Sequence, residues 1–118
     1  MANKYRNRKT VRNGISFDSQ KEAARYDELM LMQCSGAIKD LKLQPEFTLQ
    51  EAFKTPEGET VRAIRYRADF SYQRPTEPDC SGKVCWIPVV EDVKGYKTKE
   101  YEIKKKLMKN HGVYIKEI

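Results

Sequence analysis

The feature that most constrains this chain is a mostly apolar run near its carboxyl end, VCWIPVVEDVKG at residues 84 to 95. Strands that are covered on both faces of a sheet read as nearly continuous apolar runs, whereas half-exposed strands alternate. The run therefore predicts a central strand, with Pro88 near its beginning and charged residues only at its end. A basic helix at roughly 98 to 110 and a short closing strand, VYIKEI, are expected to follow.

The amino-terminal half carries clear local signals. Asn13-Gly14 separates two short stretches with Val11, Ile15 and Phe17 at alternating positions, which predicts a hairpin because a type I′ turn needs positive φ at both central residues. KEAARYDELMLMQC predicts a helix from about 19 to 35, and Gly36 is expected to end it.

Alternation then predicts two long strands, at residues 41 to 53 and 61 to 72, which should pair as a hairpin across a turn at 55 to 60. A polar excursion with two prolines follows at 75 to 82. The element order is αβββαβ, and no linker is long enough to divide the 118 residues, so we expect a single domain of the α/β (α+β) class. We interpret residues 75–85 as a hairpin insertion and residues 1–14 as a basic arm and hairpin.

Composition excludes several classes of protein. A chain of this size cannot hold two catalytic domains, and it contains no apolar stretch of the ~18 residues that a membrane span requires. Its start, MANKYRNRKTVRN, lacks the apolar region of a signal peptide, so we expect a cytoplasmic protein with no membrane partner. The odd set of Cys34, Cys80 and Cys85 argues against a disulfide framework, and with His111 as the single histidine it does not favour zinc.

The net charge of +6 is unevenly distributed. Residues 1 to 25 and residues 94 to 109 each carry +5, whereas residues 26 to 93 carry −4. Clustered Lys and Arg bind polyanions because they displace counterions condensed on phosphates, although charge runs are more often only a solvated face. Charge alone therefore leaves nucleic-acid binding open.

Acidic residues and one lysine stand where burial is expected. Asp69 interrupts the apolar positions of RYRADFSY. Asp92 and Lys94, two apart on the next strand, should share one face, while Glu91 should point to the other and make a structural ion pair. Ionised groups at the end of an apolar strand are costly to desolvate unless they are paired or bind a metal.

Glu22 falls on the helix row that contains Tyr26 and Leu29, so it should face inward. Together with Asp69 and Asp92 it would form a hard oxygen site suited to Mg²⁺, and Lys94 beside it could orient or help deprotonate an attacking water. Ser19 through Glu22 also has the spacing of a capping box, in which Glu22 returns to the Ser19 backbone. Both roles for Glu22 stay open.

These residues resemble the PD-(D/E)XK nuclease superfamily. More closely, FDSQKEAARY, LQPEF, YRADFSY and VVEDVKGYKTKEYEIKKKL are similar to a small phage-encoded family with that core, related in organisation to phage junction-resolving endonucleases. The resemblance covers nearly the whole chain. It implies a restriction-endonuclease-like core, with a central mixed sheet flanked by helices.

By the same resemblance, Asp69 and Asp92 would be metal ligands, Lys94 the catalytic lysine and Glu22 the helix acid. The implied activity is Mg²⁺-dependent hydrolysis of DNA phosphodiesters, with Mn²⁺ substituting. Branched DNA is the favoured substrate over simple duplex, which suggests a homodimer because two incisions need two sites. Phage replication or recombination proteins are further partners, in the cytoplasm of a phage-infected or prophage-bearing bacterium.

The chain departs from the superfamily pattern in several places. Ala68 replaces the proline that precedes the aspartate, and the long separation from Asp69 to Asp92 is attributed to the 75–85 insertion. Lys97 and Tyr101 have the spacing of a Gln-x-x-x-Tyr motif with Lys in place of Gln.

Six basic residues are candidates for contacts to DNA. A basic amino-terminal arm is expected to clamp the DNA backbone, and it consists of Arg6, Arg8, Lys9 and Arg12. Two lysines of the second helix, Lys97 and Lys104, are expected from helical spacing to flank the cleft of the active site. The alternatives are a disordered terminus and a solvated lysine-rich helix, the latter favoured for Lys105, Lys106 and Lys109.

Two alternatives to a structure-selective nuclease stay open. The first is a non-catalytic DNA-binding or replication-accessory module of the same fold, which would not bind Mg²⁺. The second is a sequence-specific restriction-type nuclease, which a chain this short disfavours because it leaves little room for a recognition domain.

Overall fold

A computed structural model describes residues 10–93 and 97–118. These residues form ten strands and two helices, with the following bounds: β1 Thr10–Arg12, β2 Ile15–Phe17, α1 Gln20–Cys34, β3 Lys39–Leu43, β4 Glu46–Gln50, β5 Phe53–Lys54, β6 Thr60–Val61, β7 Ile64–Arg67, β8 Phe70–Pro75, β9 Trp86–Asp92, α2 Lys99–Asn110 and β10 Ile115–Glu117. The described residues belong to two compact units, residues up to 41 with 73–87, and residues 42–72 with 88–118.

In the first unit, the predicted amino-terminal hairpin is confirmed. Asn13 and Gly14 have φ of 51° and 78°, and β1 pairs antiparallel with β2 so that Arg12 lies opposite Ile15. The following helix, α1, is confirmed as well. It begins after Ser19, whose side chain accepts a hydrogen bond from the Glu22 backbone N–H at 3.1 Å.

The inward face of α1 is as its spacing predicts, with Glu22, Ala23, Tyr26 and Leu29 buried. Gly36, just past its end, adopts φ of 84°, a conformation that glycine reaches without a steric penalty. The capping signal and the apolar period therefore agree on the limits of this helix.

The two long predicted strands are wrong in one respect, because each is broken. The segment 41–53 divides into β3, β4 and the start of β5, and the segment 61–72 divides into β6, β7 and the start of β8. The main break has a physical cause: Gln44 has φ of 51°, and Pro45 has no N–H to donate to a ladder.

The two breaks meet in space. The Gln44 N–H donates to the Asp69 carbonyl at 2.9 Å, and the Ala68 N–H donates to the Pro45 carbonyl at 3.0 Å. Each of these two segments therefore bends where the other bends. Asp69 lies in a bend and not inside a strand. The predicted hairpin itself is confirmed, since β4 pairs antiparallel with β7 and β5 with β6.

The protein is a mixed α/β structure with a mixed sheet. The four-stranded sheet has the order β10-β9-β8-β3, so β9 is an interior strand as its composition predicts, and β10 runs parallel to it. Only its carboxyl end is buried, however, because Trp86 and Ile87 are each 37% exposed while Glu91 and Asp92 are 0% and 1% exposed. The expectation of a strand covered on both faces along its whole length is wrong for that first half.

The second unit is organised around one apolar cluster. Its buried members come from β4, β7 and the bend after it, β9, α2 and β10: Leu49, Tyr66, Ala68, Val90, Tyr101, Met108 and Ile115. Helix α2 begins after Thr98, whose hydroxyl oxygen accepts the Tyr101 N–H at 3.1 Å. Helical spacing predicts a core stripe of Ile103, Leu107 and Met108. Met108 is buried as predicted, whereas Ile103 is 60% exposed and Tyr101 is the other buried residue of this helix.

Residues 76–85 form a loop held closed at its base. The Thr76 N–H donates to the Cys85 carbonyl at 2.7 Å, and the Cys85 N–H donates to the Thr76 hydroxyl oxygen at 3.0 Å. At the tip, the Asp79 carboxylate accepts from the N–H groups of Ser81 and Lys83. Such a carboxylate-capped turn needs no packed core of its own.

Candidate metal and phosphate site

Asp69 is anchored to the end of β9 by both its backbone and its side chain. Its N–H donates to the Glu91 carbonyl at 3.2 Å, and its Oδ2 accepts the Val93 N–H at 2.7 Å. A charged acceptor at that distance makes a strong hydrogen bond. The carboxylate of Asp69 is thus held against the stretch of chain that carries Asp92.

Asp92 is buried, and its Oδ2 accepts a hydrogen bond from the hydroxyl of Tyr66, which is also buried. Burial raises the pKa of Tyr66, and the hydrogen bond and charge of Asp92, together with the charge of Asp69, raise it further. Tyr66 is therefore a neutral donor at physiological pH. Both aspartates lie close enough to act on the same phenol, so the structure brings them together.

Glu91 contacts a different tyrosine. It is fully buried, and its Oε2 accepts a hydrogen bond from the hydroxyl of Tyr72. Adjacent residues of β9 thus place their carboxylates against two different phenols, as expected for successive residues of a strand.

A further carboxylate, which the sequence did not single out, lies beside Asp92. In the parallel pairing of β9 and β10, Glu117 is directly opposite Asp92. Its Oε2 accepts the Tyr101 hydroxyl at 2.7 Å, and its Oε1 lies 3.1 Å from the Lys97 ammonium and 3.2 Å from that of Lys105.

This environment decides the ionisation of the pair formed by Glu117 and Tyr101. The hydrogen bond from Tyr101, followed by that from Lys97, lowers the pKa of Glu117 to about 2. Burial raises the pKa of Tyr101, and its bond to Glu117 raises it further. Lys97 therefore has a carboxylate partner within the protein, and Lys105, expected only on a solvated face, shares that partner.

The rings of Tyr66 and Tyr101 are neighbours, with centroids 6.3 Å apart. They lie beside a cavity of about 180 Å³. Its lining consists of Tyr66, Arg67, Thr98, Glu100, Tyr101 and Lys104. Lys104, predicted from helical spacing to flank the cleft, thus lies at this cavity, and its ammonium is 3.0 Å from a carboxylate oxygen of Glu100.

Other predicted site residues belong to the first unit or fall outside the described residues. Glu22 is buried on α1, in the first unit, where its backbone completes half of the capping box, so its role as a metal ligand stays a prediction. Arg12 forms an exposed ion pair with Asp27 at 3.1 Å. The predictions for Lys94, Arg6, Arg8 and Lys9 fall on residues that the structure does not describe.

The donor chemistry of Asp69 and Asp92 suits a hard cation such as Mg²⁺, which takes one or two carboxylates and completes its shell with water and phosphate. A carboxylate has about four acceptor positions, so the hydrogen bonds from Val93 and Tyr66 are compatible with a metal bond on the same groups. Within residues 10–93 and 97–118, no group of three His, Cys, Asp or Glu side chains forms a ready metal site. The residues present therefore fit a Mg²⁺ ion that depends on its water and phosphate ligands.

Two further findings concern the whole described chain. Cys34, Cys80 and Cys85 are free and exposed. This agrees with the prediction, made from the odd number of cysteines, that the chain has no disulfide framework. None of the helices in the described segments has the length and apolar character required to cross a membrane.

The chain belongs to a family described as a protein of unknown function (DUF1064), whose model matches residues 2–117. Neither the curated proteins nor the solved structures contain a match.

Proposed function

We propose that this protein is a Mg²⁺-dependent DNA endonuclease with a restriction-endonuclease-like core. The observation that carries the proposal is the convergence of Asp69 and Asp92: the Asp69 Oδ2 is 2.7 Å from the N–H of Val93, the residue that follows Asp92. Two acidic residues from distant parts of the chain are held at the end of one interior strand, which is an arrangement suited to a metal ion and its phosphate ligand.

The chain's own residues supply defined parts of such a reaction. Asp69 and Asp92 would hold the ion, while Tyr66, through its hydrogen bond to Asp92, fixes the orientation of that carboxylate. Lys94, two residues after Asp92, would orient the attacking water or help to deprotonate it. When bound, Mg²⁺ would stabilise negative charge on the phosphate and make a bound water more acidic.

The succession of elements supports the same proposal. A bend with Asp69 between β7 and β8, the interior strand β9 with Asp92, and the basic helix α2 follow in the order that the PD-(D/E)XK resemblance implies. The basic excess lies outside this acidic centre, in residues 1 to 25 and 94 to 109. A divalent ion bound at the centre would make the local charge compatible with a phosphate.

Within this proposal, branched DNA is the favoured substrate and a homodimer the active form, since paired incisions need two sites. Mn²⁺ would substitute for Mg²⁺, phage replication or recombination proteins are proposed partners, and the full chain would act as one nuclease domain in the cytoplasm of a bacterial host.

One observation favours the alternative of a non-catalytic module. Asp92 and Glu91 both accept hydrogen bonds from tyrosine hydroxyls, and buried carboxylates with a purely structural role are satisfied in the same way. Such a module would bind DNA through its basic segments and would not need a metal.

The deciding experiment compares a four-way junction, linear duplex and single-stranded DNA, each with Mg²⁺ or with EDTA. We expect the purified protein to cut the junction in Mg²⁺ alone. Asp69→Asn and Asp92→Asn, which keep side-chain shape but remove charge, should each lower the cleavage rate by at least about 100-fold, and Lys94→Ala should do the same while DNA binding persists.

Glu91→Gln is the matched control, because Glu91 neighbours Asp92, is equally buried and contacts a different tyrosine. It should keep cleavage within a few-fold of the unmodified protein. Cleavage that survives both aspartate substitutions, or that ignores EDTA, would contradict the nuclease proposal. DNA binding without cleavage and without Mg²⁺ binding would support the non-catalytic module.

A further inference from the structure

The cavity between the end of β7 and the start of α2 is lined by two positively charged side chains that have no part in the proposed cleavage reaction. Arg67 and Lys104 line it, and of the other lining residues only Glu100 carries a negative charge. Its volume of about 180 Å³ equals roughly six water molecules in the liquid, which is room for one phosphate group with its five heavy atoms.

Arg67 and Lys104 each form an ion pair with an exposed carboxylate, which a bound anion could replace. Arg67 lies 3.8 Å from a carboxylate oxygen of Glu46, and both side chains are largely exposed, at 62% and 46%. Glu100, the partner of Lys104, is 77% exposed. Exposed ion pairs of this kind contribute little to stability, so a phosphate can replace either carboxylate at little cost.

Neutral donors are also present at the cavity. Thr98 accepts the Tyr101 N–H through its hydroxyl oxygen, which leaves the hydroxyl proton available to donate. Burial and hydrogen bonding raise the pKa of both Tyr66 and Tyr101, so neither phenol adds negative charge to the lining.

Tyr66 connects the cavity with the carboxylate site. Tyr66 forms part of its wall and also donates to Asp92, so an anion in the cavity would be separated from the carboxylate site by one tyrosine ring. A DNA strand with one phosphate at the carboxylate site would then place a neighbouring phosphate on the cavity side of this ring.

We propose that the cavity formed by Arg67, Thr98 and Lys104 binds a backbone phosphate of the DNA strand next to the one at the carboxylate site. The inference rests on the proposed function for the identity of the anion, and it adds Arg67 and Thr98 to the DNA-contacting residues. The cavity positions the strand and takes no part in bond cleavage.

The first test uses inorganic phosphate alone and needs neither DNA nor cleavage. Titration of the ¹⁵N-labelled protein should shift the NMR signals of the Arg67 Nε–H and of the Thr98 and Tyr101 amides. The same shifts should be lost in Lys104→Ala. Signals that do not move, or that move equally in Lys104→Ala, would overturn the proposal.

The second test measures duplex binding in EDTA as a function of salt. Arg67→Gln and Lys104→Ala should each weaken binding about fivefold near 0.1 M salt and reduce the slope of log affinity against log salt by about one. Lys106→Ala is the matched control, since Lys106 is an exposed lysine of the same helix that does not line the cavity. Equal losses in all three variants would mean diffuse attraction and would contradict a defined site.

A third test locates the contact by replacing single DNA phosphates with neutral methylphosphonates. At one position the replacement should weaken binding by the unmodified protein and have little effect on Arg67→Gln. Additive losses at every position would refute the contact. These tests omit Mg²⁺, so they are independent of cleavage. A protein that binds phosphate here but never cuts DNA would refute the proposed function and leave the cavity assignment standing. A protein that cuts DNA but does not bind phosphate here would refute the cavity assignment and leave the proposed function standing.

Discussion

Tyr66 donates its hydroxyl hydrogen to Asp92 at the buried end of β9, and Tyr72 does the same for Glu91, the residue before it. Two adjacent carboxylates therefore have the same kind of donor, on two different strands, β7 and β8. Only Asp92, of these two, belongs to the proposed metal site. Because the two hydrogen bonds are equivalent, Glu91 serves as a control that separates a structural role of Asp92 from a metal-binding role.

Tyr66→Phe and Tyr72→Phe should have the same effect on stability and different effects on metal binding. Each removes a donor from a buried carboxylate, so each should lower the free energy of unfolding by about 1–3 kcal/mol, measured by urea denaturation. Only Tyr66→Phe should weaken Mn²⁺ binding, by about tenfold in calorimetry, because it frees a proposed ligand to turn. Equal metal affinities in the two variants would count against Asp92 as a ligand.

The local parts of the fold could be predicted because their signals are local. Helix α1 is limited by Ser19 and Gly36, and the first hairpin by Asn13-Gly14, all of which act within a few residues. The breaks at Gln44 and Asp69 could not be predicted in the same way. They depend on hydrogen bonds between segments 23 to 25 residues apart, and alternation continues through them in the sequence.

The same distinction applies to the candidate site. The sequence points to Asp69 and Asp92 because charge is unexpected in an apolar pattern. It does not point to Tyr66, because an aromatic residue in an alternating strand is typical of a core position. It does not point to Glu117 either, because a charged residue in a short terminal strand is ordinary. Only the register of β10 against β9 places Glu117 opposite Asp92.

Glu117 should make the protein more sensitive to acid. Its pKa in the folded state is lowered to about 2 by Tyr101 and Lys97, from an ordinary value of 4.5. The stability it contributes is therefore fully present above about pH 4.5 and is lost as the pH falls toward 2. In Glu117→Gln, unfolding free energy measured by urea titration should change less across this range, by about 1 kcal/mol given solvent screening. Glu57→Gln, at an exposed glutamate of the 55–60 turn, should keep the original pH profile, and an unchanged profile in Glu117→Gln would rule out the network.

Gly36 should be required for its backbone conformation and not for space. It has φ of 84°, and a Cβ placed there would meet no atom within 4 Å. Gly36→Ala should therefore cost about 1 kcal/mol in thermal or urea unfolding, because an L side chain is strained in this region. Gly36→Asn should cost less, since asparagine tolerates the left-handed conformation. A larger loss for asparagine than for alanine would indicate crowding and would contradict this explanation.

Ser19 and Glu22 provide a test of the two roles left open for Glu22. Ser19→Ala removes the hydroxyl that accepts the Glu22 N–H, so it should lower the free energy of unfolding by about 1 kcal/mol and leave Mn²⁺ affinity unchanged. If the Glu22 carboxylate contributes to the metal site as the superfamily resemblance implies, Glu22→Gln should weaken Mn²⁺ binding about tenfold, because the amide keeps the size of the side chain but removes its charge. Calorimetry with Mn²⁺ and urea unfolding on both variants measure the two effects independently. A Glu22→Gln protein that loses stability but binds Mn²⁺ normally would assign Glu22 to the helix cap alone.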